Sequence, residues 1–299
     1  MIYEYAVDPA LITTEEKAVF LLESFGLDKG RLVSELKSKQ WQRLALDTIR
    51  EFGGGPVARK RLKEALVMLL RQKAFYIRQQ NAGGGSWLSL AQSAHSAWPY
   101  RGILMESYDG LEEHYLVKDI QLSQNDKWAI PASVTVDRDA NNMLEAVKPL
   151  LTNAREVVLV DRNFRLTNHR GSPMGRFKNV LLKIVDFLAN KPYGPSVRKL
   201  TYHIGDEHYS ESNLSSELNG FVASHLPSNF KLEFSIWPKG ELHDRYLLTN
   251  IGSLDCGIGL DEFSGSSDRT VTYKRLSKVD HSTFWSKFHQ ERPVVSVGS

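Results

Sequence analysis

The stretch "EVVLVDRNFRLTNHRGSPMGRFKNVLLKIVDFLAN", Glu156 to Asn190, contains a strand pattern followed by a helix pattern. "VVLV" is a continuous apolar run, which is typical of a strand that is buried on both faces. From Gly175 onward, apolar residues recur every three or four positions, which predicts an amphipathic helix. A buried strand followed by such a helix indicates a sheet that is flanked by helices.

The same alternation continues toward the C-terminus. "VRKLTYHI" and "FKLEFSIWP" predict two more strands, with the helix "NLSSELNGFVASHLP" between them. "HDRYLLTN" predicts a fourth strand, and "DHSTFWSKFHQ" predicts a final helix whose aromatic residues pack on the sheet. We therefore predict an α/β fold with a mixed sheet flanked by helices, in a domain that spans residues 134–299.

The first half of the chain has mainly helical patterns. "TTEEKAVFLLESFGL" opens with a capping signal, and "DKGRLVSELKSKQWQRLALDTIREF" and "VARKRLKEALVMLLRQKAFYIRQQ" predict two further helices. We expect residues 1–82 to form a helical region. Residues 83–133 are expected to form a small β-containing connecting segment, with a flexible joint at 81–87 and two short strands around Asp109-Gly110.

The composition excludes several kinds of protein and of site. With 41% hydrophobic and 24% charged residues, the chain is globular, and its net charge of +3 is too small to identify a partner. The single cysteine, Cys256, rules out an intramolecular disulfide and a cysteine-based zinc site. We find no basic leader and no apolar run that could span a bilayer, so we expect a cytoplasmic protein without a cofactor or a metal.

Charged residues follow the first predicted strand of the sheet at its carboxyl end, which is where open α/β sheets bind ligands. The loop 162–178 combines arginines with two phenylalanines, a mixture that suits phosphate groups and base stacking. His203 and His208 lie at or just past the end of the next strand. The candidate ligand-binding residues are Arg162, Arg165, Arg170, Arg176, His203, His208, Asn250 and Asp261.

The segment "LHDRYLLT" begins the fourth predicted strand with a histidine, an acid and an arginine. If side chains alternate along this strand, His243 and Arg245 share one face and Asp244 lies on the other. A histidine beside an arginine suits an anionic oxygen. The same residues could instead only stabilise the fold, with Asp244 in an ion pair and His243 as a partly buried histidine.

Two motifs in this half of the chain resemble a known family. Leu242 to Arg245, "LHDR", is followed by a Gly-x-Gly-Leu-Asp-x-Phe turn at Gly257 to Phe263. This order resembles the phospholipase D-like domain at the C-terminus of MIT-domain proteins, over about residues 134–288. In the phospholipase D superfamily a His-x-Lys pair is followed by an aspartate after four intervening residues. Arg245 stands here at the lysine position and Asn250 at the aspartate position, and an amide lacks the charge that would orient a catalytic histidine.

The resemblance implies a phospholipase D-like fold that has generally lost phosphodiesterase activity, self-associates and, in eukaryotic members, binds acidic phospholipid membranes. For this chain we expect a phosphate-bearing ligand, with nucleic acid favoured over an acidic membrane surface, a homodimer, and a role in bacterial defence. Besides the loop 162–178, the residues expected to contact nucleic acid lie on one basic helix: Arg59, Lys60, Arg61 and Lys63.

Two other functions stay open. A metal-independent phosphodiesterase or nuclease would use His243 as the nucleophile and Arg245 as the phosphate clamp. Its second histidine would come from a partner subunit or from His203 or His208. A structural adaptor would instead bind a protein partner, and that binding would depend on neither His243 nor Arg245.

Overall fold

The computed structural model describes residues 1–37, 39–71, 75–77, 85–105, 114–116, 127–191, 194–265 and 268–299. These residues form two compact units, Ile2–Pro131 and Ala132–Ser299, with Met1 belonging to the second. Each unit has its own sheet with helices, so the α/β class is confirmed. No helix in the described ranges is long and apolar enough to cross a membrane.

The N-terminal unit contains a five-stranded parallel sheet in the order β3-β2-β1-β4-β5. Its strands are β1 Tyr3–Val7, β2 Arg31–Glu35, β3 Phe75–Ile77, β4 Gly102–Met105 and β5 His114–Leu116. Its helices are α1 Glu15–Ser24, α2 Gln40–Glu51, α3 Pro56–Arg71 and α4 Trp87–Ala97. The buried Trp41 on α2 donates its indole N–H to the carbonyl of Val7 at 2.6 Å, which ties that helix to the end of β1.

The prediction that residues 1–82 are helical is wrong for three segments, because β1, β2 and β3 are strands. The predicted second helix begins only at Gln40, and its first part, Arg31–Glu35, is the buried strand β2. A short strand that is buried on both faces has no polar alternation, so Leu32 and Leu36 fitted a helical spacing by chance.

The segment predicted to connect the two halves also differs from the prediction. Trp87, the last residue of the predicted joint, begins α4, and the Ser86 hydroxyl caps that helix by accepting from the amide of Ser89 at 3.2 Å. The rest of the joint from 81 to 84 lies outside the described residues. Two strands, β4 and β5, are present, but they pair parallel to each other, and the predicted turn at Asp109-Gly110 also lies outside the described residues.

The C-terminal unit contains an eight-stranded mixed sheet in the order β13-β9-β8-β7-β10-β11-β12-β6. Its strands are β6 Ser133–Asp137, β7 Val157–Asp161, β8 Lys199–Gly205, β9 Lys231–Trp237, β10 Arg245–Thr249, β11 Gly252–Asp255, β12 Thr270–Arg275 and β13 Val295–Gly298. Its helices are α5 Ala140–Asn153, α6 Gly175–Asn190, α7 Glu211–Phe221 and α8 Lys278–His289. Strands β7, β8 and β9 run parallel, and the other pairs are antiparallel.

Aromatic side chains pack on both faces of the parallel strands. On one face, Phe164 from the loop after β7 contacts Tyr202 of β8, with ring centroids 4.6 Å apart, and Phe177 of α6 at 5.7 Å. On the other face, Phe288 of α8 packs in a cluster with Val160 of β7, as predicted for the final helix. Because the loop after β7 is anchored through Phe164, its polar residues are held at the carboxyl end of the sheet.

Candidate anion-binding site

Asp161, the last residue of β7, lies opposite Arg245, the first residue of β10, because these two strands pair antiparallel. The carboxylate is completely buried and accepts hydrogen bonds from the amides of Asn163 at 2.9 Å and Leu260 at 3.0 Å. Its Oδ1 lies 3.5 Å from the Nε of Arg245. Burial raises the pKa of the Asp161 carboxyl, whereas the two amide donors and Arg245 act in the opposite direction.

A second buried acid, Asp261, holds two more arginines beside this pair. Arg138, which follows β6, pairs with Asp261 through Nη2 and donates from Nε to the carbonyl of the same residue at 3.1 Å. The Nε of Arg176, in the first turn of α6, lies 3.4 Å from the other oxygen of Asp261. Ion pairs that are buried in this way fix the geometry of their partners, because breaking one leaves an uncompensated charge.

The glycine turn after β11 brings the chain directly onto these carboxylates. Gly259 has a φ of +142°, and a Cβ there would lie 3.0 Å from an oxygen of Asp261 and 3.2 Å from an oxygen of Asp161. Gly257 has a φ of +52°, and its Cβ would lie 3.0 Å from the carbonyl oxygen of Thr272. Both positions therefore require glycine, which explains the Gly-x-Gly spacing physically.

A cleft of about 850 Å³ opens at the carboxyl ends of β7 and β8, next to the two buried acids. Its lining has more basic than acidic side chains. The lining residues are Arg138, Asn163, Arg165, Arg176, Phe177, His208, Ile258, Asp261 and Asp268. In the part of the chain that the structure describes, the buried Nε atoms of Arg165 and Arg176 have no hydrogen-bond acceptor, as is also the case for Arg162 and Arg245 outside the lining. A buried guanidinium N–H without an acceptor is costly unless a ligand supplies one.

His208 adds a titratable group to the rim of this cleft. Its ring is exposed, and its pKa is lowered first by partial burial and then by the positive charge of Arg165, while Glu207 acts in the opposite direction. At neutral pH the ring is therefore mainly uncharged in the absence of a ligand. An anion bound between His208 and Arg165 would favour the protonated ring.

The structure brings four of the candidate residues together, namely Arg165, Arg176, His208 and Asp261. Of the other arginines in the loop 162–178, Arg170 is exposed in the turn closed by Asn168, and Arg162 is partly buried beside Gly205. Neither lines the cleft.

His203 and Asn250 lie away from the cleft. His203 is buried on the face of the sheet covered by α8, where its Nδ1 accepts from the indole of Trp237 at 2.8 Å, and burial lowers its pKa to about 4. Asn250 follows β10 at its opposite end, and its side-chain oxygen accepts from the amides of Arg155 and Glu156 at 2.8 and 3.2 Å. Both side chains therefore stabilise the fold where they are.

His243 and Arg245 differ in their surroundings. His243 is exposed in the segment before β10, whereas Arg245 is partly buried against Asp161 and donates from Nη1 to the carbonyl of Gly257 at 3.3 Å. The Nη1 of Arg245 thus has a protein acceptor, whereas its buried Nε faces Asp161 without forming a hydrogen bond. Within the described ranges, no group of three or more His, Cys, Asp or Glu side chains is arranged to hold a metal ion.

Sequence reasoning missed four residues of the lining, namely Arg138, Asn163, Ile258 and Asp268. Asn163 follows β7 by two residues, so the rule that located Arg165 could also have found it. Arg138 stands between β6 and Asp139, the N-cap of α5, and only the tertiary fold brings it to Asp261. Nothing in the sequence pattern indicated Asp268.

The basic helix of the N-terminal unit has the predicted amphipathic character. On α3, Leu62, Leu66 and Leu69 are buried, whereas Lys60, Arg61 and Lys63 are exposed. Two of these cations have acidic neighbours: Lys60 lies 3.9 Å from Glu64 and Arg61 lies 3.2 Å from Glu15. These pairs reduce the positive charge that the helix presents to a polyanion.

No protein-family model matches the chain, and no curated protein matches it. Among solved structures, the chain is similar to TrmBL2, an archaeal chromatin protein whose structure shows a novel mode of DNA binding. The sequence identity is 14%, the similarity covers 83% of this chain and 86% of that one, and the TM-score is 0.29.

Proposed function

We propose that the cleft at the carboxyl ends of β7 and β8 binds a phosphate group of a nucleic acid. One observation carries this proposal: Arg165 presents a buried Nε with no acceptor among the described residues, next to Arg176 and His208. Guanidinium groups bind phosphate through paired charge-assisted hydrogen bonds, which are stronger than hydrogen bonds between neutral groups. A phosphate in the cleft would accept hydrogen bonds from these guanidinium groups.

We favour a nucleic acid because positive charge continues beyond the cleft. Arg162 and Arg170 lie on the same loop as Arg165, outside the lining of the cleft. A polyanion with regularly spaced phosphates can contact such a loop and the cleft at once, whereas an isolated phosphate cannot. A homodimer, which we also propose, would present two clefts to one strand, and light scattering with size-exclusion chromatography measures that state.

Recognition without hydrolysis fits the surroundings of the motif residues better than catalysis does. Arg245 pairs with the buried Asp161, and Asn250 lies at the other end of β10. The residue at position 250 is therefore an amide at the far end of β10, and it cannot orient His243 as a nucleophile. We also propose a likeness to a phospholipase D-like domain with a degenerate motif. Two hydrogen bonds support it: Arg245 donates to the carbonyl of Gly257, and the amide of Leu260 donates to Asp161.

Binding of labelled single- and double-stranded DNA and RNA, measured by fluorescence anisotropy in EDTA at about 50 and about 200 mM salt, tests the proposal. Arg165→Ala is expected to weaken binding about 10- to 100-fold, because a hydrogen bond to a charged group contributes about 1.5–3 kcal/mol. Arg198→Ala is the matched control, since it removes the same charge from an exposed position before the amino end of β8.

Two results would contradict the proposal. Equal affinities for the wild type, Arg165→Ala and Arg198→Ala would show that the cleft does not contact the nucleic acid. Cleavage of the labelled strands that disappears in His243→Ala would establish the nuclease instead of a binding protein.

The affinity is expected to increase as the pH falls from about 8 to about 6, the range in which histidines titrate. Partial burial and Arg165 lower the pKa of His208 in the free protein, and a bound phosphate would raise it. The complex therefore binds a proton more readily than the free protein does, so protons and ligand favour each other's binding. His208→Gln should flatten this dependence, whereas an unchanged slope in that variant would exclude His208 from the site.

A further inference from the structure

Two exposed apolar side chains lie on the glycine turn that borders the cleft. Ile258 is 38% exposed and lines the cleft, and Phe263 is 43% exposed five residues later. The other large apolar side chains that are exposed in the described ranges are Val19, Val57, Val67, Met68, Val279 and Val294. Phe263 is the one aromatic residue in this set, and it follows Asp261, a residue of the cleft lining, by two positions.

The backbone that carries Phe263 is fixed to the walls of the cleft. Its amide donates to the carbonyl of Arg138 at 2.7 Å, and the amide of Glu262 donates to the carbonyl of Arg176 at 3.3 Å. On the other side, Arg176 donates from Nη1 to the hydroxyl of Ser264 at 3.1 Å. Two arginines of the cleft therefore hold the chain on both sides of the exposed ring.

The Glu262 side chain anchors the same turn a second time. One of its oxygens accepts from the amide of Ala140 at 3.1 Å, at the start of α5, and the other accepts from Asn179 of α6 at 2.7 Å. A ring on a backbone held by this many contacts loses little conformational entropy when it binds a ligand. An exposed aromatic ring on such a backbone offers a flat apolar face to a ligand.

We infer that Phe263, on the same turn as Ile258, receives an unpaired base while the arginines of the cleft hold a phosphate of the same strand. This inference rests on the proposed function and names its substrate class, a single-stranded nucleic acid. In a duplex both faces of each base are already stacked, so the ring has no base face to contact. In a single strand the base is free, and an aromatic side chain can stack on it whatever the sequence.

The test compares the affinities of Phe263→Ala, Phe263→Leu and the wild type for a single strand and for the matching duplex. Stacking on an aromatic side chain contributes about 1–3 kcal/mol per base, so Phe263→Ala should weaken single-strand binding about 5- to 100-fold. Duplex binding should change less than about twofold. Phe263→Leu keeps an apolar side chain without a flat ring, so it should weaken single-strand binding nearly as much as alanine if stacking is the cause.

Val279→Ala is the matched control, because it shortens an apolar side chain that is 74% exposed at the start of α8. It should leave both affinities unchanged. Urea unfolding of each variant should give the wild-type midpoint, since an exposed side chain contributes little to stability. Equal losses of single-strand and duplex affinity in Phe263→Ala would overturn the inference. Binding of the same variant to phosphatidylserine vesicles is measured as well, and a loss seen only with these vesicles would also overturn it.

The Arg165→Ala variant separates this inference from the proposed function. If it binds every nucleic acid as the wild type does, the proposed function fails and the inference fails with it. If it binds weakly while Phe263→Ala binds a single strand normally, the cleft still holds phosphate and only the role of Phe263 is wrong. If both variants lose single-strand affinity and only Arg165→Ala loses duplex affinity, both statements hold.

Discussion

Replacing Asp161 with alanine is expected to lower the free energy of unfolding by about 3–5 kcal/mol, the usual cost of removing one partner of a buried ion pair. The completely buried carboxylate pairs with Arg245 and accepts from the amides of Asn163 and Leu260. Alanine leaves these donors without an acceptor, and each orphaned buried donor costs about 1–3 kcal/mol. Urea unfolding followed by tryptophan fluorescence measures the change.

Two further variants locate the cause of that loss. Asp161→Asn keeps the shape and one acceptor oxygen, and burial already raises the pKa of this carboxyl, so the neutral amide should cost less than alanine. Glu207→Ala removes an exposed acid just past the neighbouring strand β8 and should change stability by less than about 0.5 kcal/mol. A loss below about 1 kcal/mol for Asp161→Ala would mean that the buried pair with Arg245 contributes little to the stability of the fold.

Gly259→Ala is expected to damage both the fold and the binding of phosphate. The backbone conformation at a φ of +142° is one that residues with a Cβ rarely adopt, which costs about 1–3 kcal/mol. The added methyl group would also press on the carboxylates of Asp161 and Asp261, and these position Arg176 and Arg245. Unfolding midpoints and anisotropy titrations should therefore both show losses.

Gly220→Ala is the matched control for that variant. Gly220 lies in α7, where a Cβ would meet no atom within 4 Å, so alanine should stabilise the protein by up to about 1 kcal/mol. Ligand affinity should not change. Wild-type stability and affinity in Gly259→Ala would mean that the turn adapts without disturbing the acids.

The sequence allowed the four adjacent strands β7, β8, β9 and β10 to be predicted, because each has a clear apolar run and the helices that connect the first three have periodic patterns. The other four strands of this sheet, β6, β11, β12 and β13, were missed, and β11 and β13 have only four residues each. Strands β1 and β2 of the N-terminal unit were missed because they have five residues each and are almost entirely buried. Burial on both faces removes the polar alternation that identifies a strand, so local pattern could not distinguish β2 from the start of a helix.

The candidate site was predictable only in part. The position of Arg165 and His208 follows from the rule that loops at the carboxyl ends of parallel strands converge. Asn250 was wrongly assigned to the site because it follows β10, whereas Arg245 begins it. The two ends of this five-residue strand lie beside opposite ends of β7. Arg138 follows β6, the edge strand of the sheet, and only the tertiary fold brings it to Asp261.

The hydrogen bond from Leu260 to Asp161 joins residues that are 99 positions apart. β7 and β8 can pair through a local strand-helix-strand unit, but β10 must be in place beside β7 before Arg245 and the glycine turn reach the buried acid. Contacts of this sequence separation form slowly, because the entropy of closing a long loop is lost first. The buried acid and its partners are thus among the late products of folding, and a chain cut short before Leu242 would keep the pairing of β7, β8 and β9 but not this contact.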